Sequence, residues 1–514
     1  MRQGPPASHF TFTQKHCIFV LLLIAAALRL PGLSCEWQYD EIWTLLNFTE
    51  LSTFQIFTDV SLPNNHPVNT LIIKLLKNIS DIPQIIRFGV FAAGLWVVYL
   101  AVKLAASASK DNNYAKYGAG LLAAATPALI LFSVTARGYI FQLAGLMLCA
   151  DGLLEIACGK KNKFSGAKIV AGGILSFLSV SSGIMFLAVI AAAYLFFAPK
   201  SYRWDKTVWI SGGMLLLAAL GYYLPLFEEL RRGQQWGIEI TGFSGLIKFG
   251  FTTLKAHLPP FTALLALCGV ICVPVMRKVF LFALLPLVMA LVTKGGPERV
   301  YLVLTMLFIV MGGCGFAGVC EKFPGQRKIF QIIFLAGVIL NWCTVQSPWQ
   351  IPQPAAEMKQ IVADNAENIL PVTASTAGFP VMVNEPDIAG TIEQRAAFPE
   401  KLLMLNCANG VFNGADADNS EQVMSFPVSG SLKPGRVPGY IYNLVPVENF
   451  PAGTTVLVIF SGSFPAEFLQ LPGKKLRLNL WLNQRMPVFI GNFVNGEMPY
   501  FEGVKYFQIG EKNE

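Results

Sequence analysis

Apolar runs of about 17–25 residues recur along this chain between positions 16 and 345, each long enough to cross a hydrocarbon core of about 30 Å. No other feature narrows the fold so far. In hydrocarbon, backbone N–H and C=O groups must be satisfied within the protein, which makes such runs helices. Composition agrees. Of 514 residues, 54% are hydrophobic and 14% charged, and mean hydropathy is +0.52; a soluble domain carries roughly a quarter charged residues. The expected class is an all-α polytopic membrane domain of about eleven transmembrane helices. The spans fall at about 16–33, 84–105, 115–135, 138–157, 167–182, 184–198, 207–228, 260–276, 279–294, 299–319 and 328–345.

Loop charges test this division. One side receives Lys15, then Lys103, Lys110 and Lys116, then Lys160, Lys161, Lys163 and Lys168. Lys200, Arg203 and Lys206 follow, then Arg277 with Lys278, and finally Lys322, Arg327 and Lys328. That side is therefore expected to be cytoplasmic, with the N-terminus. The opposite loops carry Asp40, Glu41, Asp59, Glu228, Glu229, Glu239 and Glu298. The same rule absorbs the net charge of +8, so no nucleic-acid partner is expected. Segment 167–198 is read as two short spans turning at Ser179–Gly183, because Lys168 and Lys200 flank it on one side. Lys15 before an apolar run resembles a signal peptide, but no small-x-small cleavage site follows and Arg29 interrupts the run late. It is read as a retained first span.

Three regions follow. Residues 1–345 form the membrane domain, with 34–83 as a long first outer loop; 346–354, with Pro348, Pro352 and Pro354, is a linker. Residues 355–514 read as a soluble extracytoplasmic α/β or α+β domain, with helices at 355–366 and 393–405 and strands at 455–460, 476–482 and 487–493. In the first outer loop, Leu45, Phe48, Leu51, Phe54 and Phe57 recur every three residues, an apolar stripe suited to an interfacial helix. A second helix is expected from Val68 through Leu76. The outer loop 229–259 is made basic by Arg231, Arg232, Lys248, Lys255 and His257. Most cysteines lie in or beside spans and read as packing residues; only Cys35 and Cys407 lie outside, where a disulfide between them is conceivable.

The chemistry-bearing residues gather beside the first span. Asp40-Glu41-Ile42-Trp43-Thr44 is followed by Asn64-Asn65-His66-Pro67. Carboxylates and an imidazole this close to a bilayer point to function, against the plainer reading that they solvate a loop. In a helix, neighbours point about 100° apart. Asp40 then shares a face with Thr44 and is the better candidate base, leaving Glu41 as its support. An aspartate in a shielded pocket can take a proton from an attacking hydroxyl. His66 has three readings: metal ligand, phosphate hydrogen-bonder, or cap of the next helix. Arg87, Arg137 in Ala136-Arg137-Gly138-Tyr139, and Arg299 in Pro297-Glu298-Arg299-Val300-Tyr301 lie on the side of the acids, as does Arg29 late in span one. Singly, each reads as snorkelling. Together they suit an anionic lipid phosphate, because a guanidinium binds its oxygens bidentately and keeps its charge. Tyr139, Tyr301 and Thr44 are supporting candidates.

In this order the motifs resemble the GT-C glycosyltransferases, and within them the bacterial protein O-mannosyltransferase-like and lipid A aminoarabinose transferase-like enzymes. The resemblance covers about 1–345. It implies a polyprenyl-phosphate-linked sugar as donor, a lipid, glycan or protein acceptor, an outer-face site in a bacterial inner membrane, and inversion at the anomeric carbon. By it, Asp40 is the catalytic acid of the first loop, Glu41 its partner, and His66 the first residue of the family's His-Pro-Pro. Val68 stands where the family has its second proline. Arg87, Arg137 and Arg299 are the implied donor-phosphate ligands. Metal use varies across the superfamily, so no cofactor is assigned and a divalent metal stays open. The competing readings are a transporter or flippase of lipid-linked sugars and a scaffold or sensor working through its outer domain. The first calls for polar groups at mid-membrane, yet stretches such as 215–220 and 302–310 are nearly all apolar. The second leaves the Asp40 strip without a role.

Overall fold

The computed structural model describes residues 12–35, 41, 44–45, 48–59, 65–80, 82–233, 240, 242–293 and 298–343, together with five strands beyond 368. Asp40, Asn64, Pro297, Cys407 and the expected helices at 355–366 and 393–405 lie outside the described residues. The chain divides into two units, 1–35 with 52–350, and 36–51 with 351–514.

In the first unit the α-helices of six or more residues are α1 (Phe12–Leu33), α2 (Thr53–Thr58), α3 (Pro67–Lys77), α4 (Phe88–Ala108), α5 (Asn113–Ala125), α6 (Pro127–Val134), α7 (Tyr139–Ala157) and α8 (Ser165–Ser179). They continue with α9 (Gly183–Phe197), α10 (Lys206–Tyr223), α11 (Phe227–Gly233), α12 (Gly242–His257), α13 (Pro260–Cys272), α14 (Pro274–Thr293), α15 (Leu302–Lys322) and α16 (Arg327–Cys343). Among the described residues, 4 helices are long and apolar enough to cross a membrane, and up to 6 if each of two bent pairs is one span. The protein is a multi-pass membrane protein. Each of the eleven expected segments is largely helical, and 167–198 breaks between α8 and α9 where the serine-rich turn was expected. Exposed apolar side chains such as Phe19, Leu217, Phe251 and Ile332 suit contact with lipid tails.

Three expectations change. The span drawn over 115–135 is two helices, α5 and α6, meeting at 58°. Its apolar run is continuous, but Pro127 has no N–H to extend the helix. The outer loop 229–259 contains a 16-residue helix, α12. The interfacial stripe of 45–57 is not one helix face. Ser52 and Gln55 form a capping box that starts α2 afresh, and Phe48 and Leu51 are buried while Phe54 is 75% exposed. A three-residue repeat slips steadily around a helix of 3.6 residues per turn, so it holds a face only briefly.

Small residues let the helices approach. At Gly315, on α15, a Cβ would overlap the Leu265 carbonyl of α13 and lie 2.5 Å from the Gly269 nitrogen. Without a hydrophobic force between helices inside a bilayer, such contact supplies the dispersion attraction that holds them. The basic loop ends of α4, α7 and α8 are tied by ion pairs: Asp151, 1% exposed, accepts from Lys103 at 2.6 Å and Lys168 at 2.7 Å. Lys168 also pairs with Glu155.

In the second unit, strands β1 (Ile369–Thr373), β2 (Thr455–Gly462), β3 (Leu476–Leu482), β4 (Met486–Asn492) and β5 (Phe501–Ile509) form one sheet in the order β1-β2-β5-β3-β4. The β1–β2 pair is parallel and the others antiparallel, with a register shift at Asn479/Leu480. The stretches expected as strands near 455, 476 and 487 coincide with β2, β3 and β4.

The close approach of α13 and α15 makes a direct prediction. Gly315→Val should destabilise the membrane domain by about 1–3 kcal/mol, as overpacking does, measured by thermal unfolding in detergent. Unchanged stability would mean that the two helices do not meet at this residue.

Candidate functional site

The site is assembled where α3, α7, α8 and α15 end or begin together. His66 occupies the N-cap position of α3, with Pro67 in the first turn. That is a favoured place for proline, whose missing N–H would be unpaired there anyway. The imidazole makes no capping bond, so the cap reading of His66 fails. Its Nδ1 lies 3.1 Å from the carbonyl oxygen of Ser179, the last residue of α8. A carbonyl only accepts, so Nδ1 carries the proton and the neutral ring presents a lone pair at Nε2. His66 is 1% exposed, and Nε2 is buried with no hydrogen-bond partner among the described residues.

Tyr139, the first residue of α7, is the hub. Its ring meets the His66 ring edge-on at 5.0 Å and the Phe132 ring at 5.4 Å. Its hydroxyl accepts from Arg299 Nε at 3.0 Å, and the Arg137 guanidinium lies 5.6 Å from its ring centre. One tyrosine therefore gathers His66, Arg137 and Arg299. Burial first, then the Arg137 and Arg299 charges, hold the His66 imidazole well below its ordinary pKa, and the Ser179 carbonyl offsets this only in part. The ring is neutral at pH 7, fit to accept a hydrogen bond rather than to donate two.

Supporting contacts fix this arrangement. Asn69 donates to the Ala136 carbonyl at 2.8 Å, placing the turn that carries Arg137. At Gly138 a Cβ would lie 2.5 Å from the Ser179 oxygen and 2.8 Å from the His66 Cβ, so only glycine fits. Asn65 donates to the carbonyls of Ile56 (2.8 Å) and Asp59 (2.6 Å) and accepts from Thr70 at 3.1 Å. It is a staple of the loop, more than a turn former. Gln142 donates to Ser182 at 2.9 Å.

Other expected residues take different places. Arg87 donates from Nη1 to the carbonyls of Gly32 (3.3 Å), Leu33 (3.2 Å) and Cys35 (2.6 Å), closing the end of α1. Tyr301 packs between Phe186 at 6.0 Å and Phe249 at 5.3 Å, in an aromatic core. Glu41 and Thr44 are both fully buried. Among the described residues, no group of three or more His, Cys, Asp or Glu side chains is placed to hold a metal ion. Sequence reading missed Ser179, Gly138 and Asn69. The Ser179–Gly183 turn was legible, but a backbone carbonyl leaves no trace in residue identity.

The chain is similar to ArnT from Cupriavidus metallidurans in the apo state, with a TM-score of 0.51 over 89% of this chain and 95% of that one, at 10% identity. The chain has the GT-C fold. The same ArnT bound to undecaprenyl phosphate gives 0.49 at 10% identity over 96% and 98% of the two chains. The Archaeoglobus fulgidus oligosaccharyltransferase in complex with zinc and sulfate gives 0.42 at 13% identity over 70% and 60%. No family model and no curated protein matches the sequence. The GT-C likeness is thus one of fold, at an identity too low to carry residue roles.

The buried imidazole makes a pH prediction. A group whose pKa is depressed on folding contributes stability above its unfolded value, about 6.5 for histidine, and that contribution is lost as pH falls toward the folded value. Thermal stability should therefore drop below about pH 6.5, and His66→Gln should flatten that drop. Identical pH dependence in both proteins would contradict a buried neutral His66.

Proposed function

We propose that this protein is a membrane glycosyltransferase that moves a sugar from a polyprenyl-phosphate donor to an acceptor hydroxyl at the outer face of a bacterial inner membrane. The observation that carries the reading is the convergence of Arg137, Arg299 and a neutral His66 on Tyr139, at one end of a GT-C bundle. Two guanidiniums beside an apolar membrane wall suit a lipid-linked phosphate. The neighbour that was captured with undecaprenyl phosphate and another archaeal oligosaccharyltransferase structure with a dolichol-phosphate accord with such a partner.

In this scheme the acceptor oxygen attacks the anomeric carbon as Asp40 removes its proton, and the bond from that carbon to the phosphate oxygen breaks. The displacement is single, so the anomeric centre inverts. Negative charge grows on the departing lipid phosphate, and Arg137 and Arg299 stabilise it where it develops. Glu41 and Thr44 support Asp40. His66, fixed by Ser179, accepts a hydrogen bond at Nε2 from a substrate hydroxyl. Arg87 acts on the site by holding the end of α1, just ahead of Asp40 in sequence, and Tyr301 by anchoring the turn that carries Arg299 against Phe186 and Phe249. The basic loops lie in the cytoplasm with the N-terminus, and residues 355–514 lie in the periplasm.

Asp40→Asn should lower sugar transfer by at least about 10²-fold, the usual scale of a lost general base, with expression and melting temperature intact. Equal activity in membranes supplied with polyprenyl-phosphate sugar would remove Asp40 from the mechanism. Arg137→Ala and Arg299→Ala should each raise the donor KM more than they lower stability; unchanged donor kinetics in both would refute the clamp.

A further inference from the structure

We infer that Arg29 is a positioning residue: it fills the break between α5 and α6 and so fixes the direction in which α6 delivers Arg137 to the Tyr139 cluster. The inference rests on the reading of that cluster as a lipid-phosphate site.

Arg29 lies inside α1 and is 0% exposed, so it does not reach out to head groups. Its Nη1 donates to the Ala124 carbonyl at 3.0 Å and its Nη2 to the Ala123 carbonyl at 3.3 Å; Nη1 also reaches Ala25 in its own helix at 3.0 Å. Ala123 and Ala124 are in the last turn of α5. A helix would satisfy Ala123 from the N–H of residue 127, but that residue is Pro127 and has none. Thr126 leaves the helix in an extended conformation (φ −71°, ψ 119°), which also takes Ala124 out of the helical ladder. Two adjacent carbonyls among those stranded by the break are the ones that the guanidinium meets on the side of α5. A planar fork reaches both at once, whereas an ammonium is a single point.

The bend is also filled from α4. A Cβ at Gly94 would overlap Ser133 of α6 and lie 3.4 Å from Arg29 Nε. Beyond the bend, α6 runs through Val134 into Thr135, whose hydroxyl donates to the Leu131 carbonyl at 2.8 Å, and then to Arg137. The direction of α6 thus sets where Arg137 stands.

The test is a double-mutant cycle on the full-length protein in detergent, with Arg29→Met, Pro127→Ala and both together. Two quantities are read: melting temperature and affinity for polyprenyl phosphate. Pro127→Ala restores an N–H for the Ala123 carbonyl. Arg29→Met should lower the melting temperature by several degrees beside Pro127 and by clearly less beside Ala at 127, and should weaken polyprenyl-phosphate binding about tenfold. Arg29→Lys should resemble Arg29→Met in both readings. Additive melting shifts, or a wild-type Arg29→Lys, would overturn the break-filling role. Coupled melting shifts with unchanged affinity would overturn the positioning of Arg137. If Arg29→Met does not fold, Arg29→Gln, with one amide donor pair, takes its place in the cycle. If the wild-type protein binds no polyprenyl phosphate, the functional reading fails with the positioning claim, while the melting cycle still decides whether Arg29 and Pro127 are coupled.

Discussion

A backbone carbonyl in hydrocarbon has no water to turn to, and leaving one unmet costs several kcal/mol. That constraint organises this membrane domain. Regular helix satisfies the groups along most of its length, and at several breaks side chains meet the stranded carbonyls. Arg29 serves the break before Pro127, and Arg87 closes the end of α1. Asn69 and Asn65 do the same for the turns around the site. The candidate site is built around turns closed in this way.

The two ends differ in chemistry as well as in geometry. At one end, Lys103, Asp151, Glu155 and Lys168 neutralise one another across three helices. At the other, Arg137 and Arg299 flank a tyrosine and a neutral imidazole. Tyr139 suits this mixture, since its ring face attracts a cation, its edge packs on His66, and its hydroxyl accepts from Arg299.

Much of this was legible in the sequence. The apolar runs placed the helices, the proline after His66 marked the start of α3, and the order of motifs brought His66, Arg137, Tyr139 and Arg299 into one list of candidates. What escaped was set by partners remote in sequence. The run 115–135 is unbroken by hydropathy, so the bend at Pro127 shows only once Arg29 is found against Ala123 and Ala124. Arg29 and Arg87 carry the same charge as Arg137, and only their carbonyl partners reveal that they hold helix ends. The inward face of α3 was missed too: Asn69, Thr70 and Ile73 are buried while Leu75 is 58% exposed, because polar side chains are needed inside to satisfy neighbouring loops. Within the first loop, the three-residue apolar spacing misled because Ser52 restarts the helix.

The most direct measurement of the central claim is photo-crosslinking of the purified protein with a photoreactive polyprenyl phosphate, followed by peptide mapping. Labelling concentrated near His66, Arg137–Gln142 and Arg299, and competed away by unlabelled polyprenyl phosphate, is the result this account predicts. Labelling confined to the ion-paired end around Lys103, Asp151 and Lys168 would contradict it.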